Sequence, residues 1–352
     1  MRNASVSQRR VSSKAMTELP LRRTRLLDVA HAAGVSTMTV VRVMRDPAKV
    51  APATRKRVEA VLRQTGYTPD LTARGLASNR SGLIAAIVPV LTNSLIAEIM
   101  QGLTEALAPN DFHLLLGASG FSSGEEEVMV RAFLSRRVDG IYLTGAIHTP
   151  ETVRMLKRSG IPVVEGGNLT DSPIDMVVGY SNVAGARVVT RYLLKKGYWP
   201  IGYIGAYPKD NDRARDRRLG YEAALTAAHR KRDPALCIET TLDIDAGGRA
   251  MATLLDRRPD VRAVFCSADA IAAGALFECQ RRRLAIPGRI AIAGFDDIPL
   301  ASQVVPALTT LRVPRYEIGQ RAGRLFGDRL AKRAVKERIV DTGFELIVRD
   351  ST

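Results

Sequence analysis

Residues 26–44 read LLDVAHAAGVSTMTVVRVM, and the N-terminal fold turns on this stretch. Leu26, Val29, Ala30 and Ala33 recur at helical spacing and share one face. Gly34 follows, where a chain leaving a helix can need positive φ. Ser36 then stands as an N-cap before a second periodic run. Val40 and Val43 form the buried side of that second helix, and the small Ala30 lets the two helices cross closely. A third helix fits 52–64: Pro52 suits its first turn, Val58, Val61 and Leu62 make its apolar stripe, and Gly66 can end it. A short helix, a glycine turn and a capped second helix predict a helix-turn-helix unit.

The exposed side of the second helix carries Thr37, Met38 and Arg42. In a helix-turn-helix the start of this helix enters the major groove. Arg42 is suited to a bidentate contact with guanine, and Thr37 and Met38 to base edges or a thymine methyl. Ser36, Thr39, Thr54 and Arg55 are suited to phosphate oxygens, which position a protein without specifying sequence. Met38 has an alternative reading as filler between helices. Charge points the same way as the motif. The 352 residues carry a net charge of +16, and residues 1–80 hold 16 Lys and Arg against 5 Asp and Glu, a net of +11. A basic small domain ahead of a near-neutral large one fits a polyanion contact at one end.

The stretch DVAHAAGVSTMTVVRVMRDPAKVAPATRKRVEAVLRQTGYTPDLTARGLAS closely resembles the DNA-binding segment of the lactose-repressor (LacI/GalR) family, and the resemblance extends over most of residues 25–348. It implies a homodimer that reads a pseudo-palindromic operator, with residues 70–79 as a hinge helix and Leu76 as a wedge between bases. ARGLAS is too short to be a stable helix alone, which suits a segment that folds on binding. The chain departs from the family where Val41 and Ala51 replace the usual serines. The second change removes a cap of the third helix. Residues 1–24 lack periodicity and read as a disordered basic arm.

Beyond residue 82, short apolar runs alternate with amphipathic stretches. LIAAIVPV (83–90), FHLLLGA (112–118), VDGIYLT (138–144), IPVVEG (161–166) and MVVGY (176–180) read as strands. Further strands fall near 201–205, 236–241, 261–265 and 289–294, with helices between them. Such alternation predicts an α/β domain with parallel sheets covered on both faces. About ten strands are better divided between two lobes than held in one sheet. The resemblance implies a two-lobed fold like the type I periplasmic sugar-binding proteins, crossing between lobes near 180 and again near 311. The expected organisation is therefore a basic arm at 1–24, a helix-turn-helix domain at 25–69, a hinge helix and linker at 70–81, and an effector-binding and dimerisation domain at 82–350. One lobe takes 82–180 and 312–333, the other 181–311 and 334–350.

Ligands of such folds sit at the carboxyl ends of the strands. Asn93, Ser119, Glu165, Arg217, Asp269 and Asp296 follow strands and are candidate effector contacts. The resemblance implies that Arg217 and Asp296 hold the effector's polar groups; the remaining arginines of 213–218 read as solvated. The family usually has Asn where this chain has Ala268. Within the family the chain most resembles gluconate repressors, on TMTVVRVMRDP, PVLTNSLIAEIMQG, LTGAIHTPETVRML, IPVVEGGNLTDSPIDMVVGYSN, AVFCSADAIAAGALFECQR and IAIAGFDD. That implies gluconate, or a phosphorylated or keto derivative, as effector, with Arg217 on its carboxylate.

A transport-type sugar-binding protein and a sugar-acid enzyme are the rival readings. The N-terminus has no apolar core of a secretory signal, so a cytoplasmic protein is expected. No metalloprotease, P-loop, nucleophile-elbow or dinucleotide motif is present, and the four histidines are isolated in sequence. Cys237, Cys266 and Cys279 match no metal or redox spacing. Neither a cofactor nor a metal is expected. The absence of C-terminal heptads favours a dimer over a tetramer.

Overall fold

The structure is a computed structural model that describes residues 24–67, 80–92 and 94–352. The arm up to residue 23, the expected hinge helix with Leu76, and Asn93 lie outside the described residues. The chain divides into two compact units, 1–78 and 79–352.

The first unit holds α1 (Leu26–Ala33), α2 (Thr37–Arg45) and α3 (Pro52–Thr65). Gly34 ends α1 at φ 62°, and its N–H returns to the Ala30 and His31 carbonyls. Ser36 caps α2, its hydroxyl accepting the Thr39 N–H at 3.2 Å. Val29, Ala30, Ala33, Val40, Val43 and Val58 form the buried centre, with Val61, Leu62 and Tyr67 packed on it. A core this small has little redundancy. Thr24 Oγ1 donates to the Thr65 carbonyl at 3.3 Å and ties the start of the unit to its end.

The second unit is built on two parallel sheets. The first contains β1 (Leu83–Val88), β2 (His113–Ala118), β3 (Gly140–Thr144), β4 (Val163–Gly166), β5 (Met176–Gly179) and β11 (Ile339–Asp341), in the order β11-β5-β4-β3-β1-β2. The second contains β6 (Ile201–Ala206), β7 (Cys237–Thr240), β8 (Ala263–Cys266) and β9 (Ala291–Ala293), in the order β7-β6-β8-β9. β10 (Thr310–Arg312) and β12 (Glu345–Ile347) pair antiparallel beside the second sheet. The first lobe carries α4 (Ser94–Leu107), α5 (Ser123–Ser135), α6 (Pro150–Ser159) and α11 (Arg315–Leu330); the second carries α7 (Asn182–Lys195), α8 (Asp212–Ala227), α9 (Ile244–Arg257) and α10 (Asp269–Arg281). The central strands are buried on both faces and accordingly read as continuous apolar runs.

One expected boundary is wrong. The sequence puts residues 334–350 whole in the second lobe, but β11 pairs parallel with β5 in the first sheet, Val340 against Val178. Val340 is buried there, and the Thr342 N–H closes on the Gly179 carbonyl at 2.8 Å. The chain thus crosses between lobes after β5, between β10 and α11, and between β11 and β12. The first and third crossings are tied where Thr342 Oγ1 donates to the Gly179 carbonyl at 3.0 Å, and the second and third by the pairing of β10 with β12.

Candidate DNA interface and ligand cleft

On α2, Met38 is 66% exposed, so it is not filler between helices. Arg42 lies one turn further along, exposed, and Thr37 is half-buried beside them. These three are the side chains that α2 offers outward near its start. Ser36 and Thr39 hydroxyls bond each other at 2.9 Å while capping the helix. Thr54 is half-buried on α3, and Arg55 pairs loosely with Glu59 at 3.8 Å. Ala51 provides no side-chain cap for α3.

In the second unit the cleft between the lobes forms two adjoining chambers. The inner one, of about 60 Å³, is lined by Thr144, Tyr180, Arg213, Arg217, Ser267 and Asp296 among others; the outer one, of about 550 Å³, includes Phe121, Tyr207, Lys209, Asp269 and Ile298. Both lie at the carboxyl ends of the strands, as open α/β sheets require.

Arg217 sits at the centre of the inner chamber. Asn211 caps α8 by accepting the Ala214 N–H, which sets the helix phase and turns positions 213 and 217 to the same side. The Arg217 guanidinium lies over the Phe295 ring at 3.8 Å from its centroid. Its Nε donates to Asn182 Oδ1 (2.8 Å), Nη1 to the Ser267 carbonyl (2.5 Å), and Nη2 to both the Tyr180 hydroxyl and Asp296 Oδ1 (3.1 Å each). Four of its five N–H bonds are therefore engaged by the protein. Asp296 is held at φ 109°, a backbone conformation L residues rarely adopt. Its N–H is tied to the Leu311 carbonyl (2.8 Å), and its own carbonyl accepts from Arg315 Nη1 (3.0 Å). Burial raises the Asp296 carboxyl above its ordinary range, with the Arg217 cation opposing the shift.

Arg213, read from sequence as solvated, instead lines the inner chamber. It gives Nη1 to Asp212 Oδ1 at 2.8 Å, its single bond among the described residues, and leaves the Nε and Nη2 edge uncommitted. Burial works against the charge of Asp212, but Arg213, Asn168 and the Ala146 N–H outweigh it and hold this carboxyl below the usual range. These contacts join the lobes. From the first lobe, the Ala146 N–H and Asn168 Nδ2 both reach Asp212 Oδ2 at 2.9 Å, and Asn168 Nδ2 also reaches Asp216 at 2.8 Å. Asn182 Nδ2 completes the network with a 3.0 Å bond to Asn168 Oδ1.

The other sequence candidates divide. Asp269 lines the outer chamber, but both its oxygens are occupied, by the Thr310 hydroxyl (2.6 Å) and the Ile298 N–H (2.9 Å). It ties down the loop that carries Asp296. Burial, reinforced by neighbouring Asp296, pushes its carboxyl up to about 8. Glu165 is turned away from the cleft. Side chains alternate along β4, so Glu165 shares the face of Val163, which packs with Val130 and Leu156 beneath α5 and α6. There it accepts the Ile174 N–H at 2.6 Å and lies 3.4 Å from His148. Ser119 is half-buried at the end of β2 and lines neither chamber. Sequence reasoning missed Tyr180, Asn182 and Ser267. Tyr180 and Ser267 directly follow strands and Asn182 opens the helix just beyond β5, the same signal that singled out Asp269 and Asp296.

Among the described residues no group of His, Cys, Asp and Glu could hold a metal, and no single helix is long and apolar enough to cross a membrane.

Two family models match the chain: "Bacterial regulatory proteins, lacI family" over residues 25–70, and "Periplasmic binding protein-like domain" over 190–352. A full-length relative, the HTH-type transcriptional regulator GntR of Pseudomonas aeruginosa, is 36% identical over 94% of this chain and 96% of its own length. The chain belongs to the lacI family. Among solved structures, a LacI-family transcriptional regulator from Silicibacter pomeroyi superposes with a TM-score of 0.86 at 32% identity, covering 93% of this chain and 99% of that one. The transcription regulator GntR from Chromobacterium violaceum matches with a TM-score of 0.73 at 34% identity, over 76% of this chain and 98% of its own. As a lacI-family member the protein is a sequence-specific DNA-binding transcriptional regulator, and not an enzyme: α1 and α2 are its helix-turn-helix, and the two-lobed unit is its effector domain.

Proposed function

We propose that this regulator is a repressor whose operator affinity is altered by a sugar acid of the gluconate type, bound in the interlobe cleft. It acts as a homodimer on a pseudo-palindromic site, with Thr37, Met38 and Arg42 of α2 facing the bases. The observation that carries the effector reading is the pair of guanidinium groups in a small polar chamber. Arg217 is largely committed to protein acceptors, so it serves as a rigid post that orients Asp296 for sugar hydroxyls. Arg213 keeps a free Nε–Nη2 edge, the geometry that grips a carboxylate bidentately. The carboxylate anchor is therefore Arg213 rather than Arg217.

The test is a calorimetric titration with D-gluconate, paired with gel shifts on an operator selected from a random duplex pool at fixed salt. Gluconate is expected to bind once per chain and to weaken the operator complex. Failure to bind gluconate would overturn the effector assignment. Unchanged operator affinity under saturating gluconate would overturn its role as a signal, because a ligand shifts an equilibrium only by its unequal affinity for the two states.

A further inference from the structure

His148 is buried in the loop between β3 and α6, away from the ligand chambers, and stands between two buried carboxylates. Its Nδ1 is hydrogen-bonded to Glu126 on α5 at 2.7 Å, while its Nε2 lies 3.4 Å from Glu165 on β4, within ion-pair reach but without hydrogen-bond geometry. Neither glutamate has another ion pair among the described residues. The third acid nearby, Glu127, accepts the Thr149 hydroxyl at 2.6 Å and pairs outward with Arg131. Two buried carboxylates without a cation would be costly, so the imidazole is the charge that makes the cluster tolerable. The same loop forms a wall of the cleft. The Gly145 N–H is bonded to the Gly166 carbonyl (2.8 Å), Gly145 packs against the Arg213 guanidinium so closely that a Cβ there would sit 2.2 Å from Nη1, and the Ala146 N–H donates to Asp212.

We propose that His148 is a positioning residue for effector binding: as an imidazolium clamped between Glu126 and Glu165 it fixes the 145–149 loop against the second lobe, and through Ala146 and Asp212 it sets the guanidinium of Arg213. Burial alone would lower the His148 pKa, but the two glutamates outweigh it and push it up to about 9, so the clamp is charged at neutral pH and opens above that value. The effector half of the proposal rests on the reading that Arg213 holds the ligand; the loop half does not.

Two measurements on the full chain separate these halves. Hydrogen exchange at pH 7 without ligand reads the Ala146 amide: its protection is expected to fall in His148→Gln and to hold in the parent. Calorimetry with D-gluconate from pH 7 to 10 reads the effector site. Parent affinity should drop about tenfold across pH 9, a usual size for coupling between linked sites. His148→Gln should be weak and flat throughout. Glu165→Gln, which keeps shape and removes one carboxylate, should move the bend to lower pH, a shift that a merely structural role would not produce. Equal Ala146 protection in parent and His148→Gln, or a bend unmoved in Glu165→Gln, overturns the proposal. Lost protection in a protein whose parent form binds no gluconate supports the clamp and overturns the sugar-acid reading instead.

Discussion

Arg213 and Arg217 are four residues apart on one helix, yet their bonding gives them different work. Removing Arg217 leaves Asp296 buried without its cation, a loss of about 3 kcal/mol or more when one partner of a buried pair is deleted. Arg217→Ala is thus expected to lower the melting temperature markedly. Arg213→Gln leaves Asp212 its bonds from Asn168 and Ala146. It should cost about 1 kcal/mol of stability while weakening gluconate binding about thirtyfold, the worth of a charged, bidentate contact. Thermal melts and calorimetry on the two variants check the contrast; similar stability losses would show the division of labour to be wrong. Asp269 gives a pH signature. Burial and the neighbouring Asp296 push its carboxyl up to about 8 in the folded protein, against about 4 for an aspartate in the unfolded chain. Below pH 4 both states are protonated. Between 4 and 8 the unfolded chain sheds a proton that the folded chain keeps, so this group's stability contribution declines as pH rises. Asp269→Asn keeps an acceptor for the Ile298 N–H and presents an amide N–H to the Thr310 oxygen in place of the carboxyl oxygen that now accepts from that hydroxyl. It removes the titrating group and should flatten that decline in denaturation midpoints measured from pH 4 to 8. At this scale the sequence pointed to Asp296 and Arg217 but not to Arg213. RARDRR offers four arginines, and which of them reach the cleft depends on a helix phase set by the Asn211 cap.

The elements were legible wherever local chemistry alone decides them. Gly34 and Ser36 punctuate α1 and α2, and each does so through its own backbone or side-chain bonds. α3 begins where expected even though Ala51 offers no cap, because Pro52 presets the first turn and Val58 anchors the helix in the core. Ala51→Ser should supply the missing acceptor and stabilise the N-terminal unit by about 1 kcal/mol, raising its melting transition without changing that of the effector domain. A shift in both transitions would mean that the two units unfold together. β11 was harder to place. Three residues, Ile339–Asp341, carry no periodicity of their own, and only the vacant edge of β5 in the first sheet makes them a strand. Short edge strands of this kind are decided by tertiary pairing rather than propensity. That is why the lobe boundary falls several residues beyond where the sequence puts it, and why the equally short β10 and β12 beside it are not legible as strands either.

At the scale of the whole molecule, the cleft is held by contacts between residues far apart in sequence. Asn168, in the first lobe just past β4, donates to Asp212 and Asp216 at the start of α8 in the second. Arg315, at the start of α11, reaches across in the same way to the carbonyls of Asp296 and Asp297, at 3.0 and 2.9 Å. No spacing rule reveals such pairs, since each partner taken alone resembles an ordinary loop or cap residue. Their consequence is that the groups facing the effector, Arg213 and Asp296, are braced by the opposite lobe. Effector affinity should therefore depend on a residue that need not touch the ligand. Asn168→Ala removes one side chain's donation to two carboxylates while leaving Arg213 and Asp296 in place. It is expected to weaken gluconate binding about tenfold, the size of one hydrogen bond to a charged group. Operator affinity without gluconate should stay unchanged, because the reading helix belongs to a separate unit. Calorimetry gives the first quantity and gel shifts at fixed salt the second. Gluconate bound as tightly by Asn168→Ala as by the parent would mean that the braced arrangement of the lobes is not the one that receives the effector.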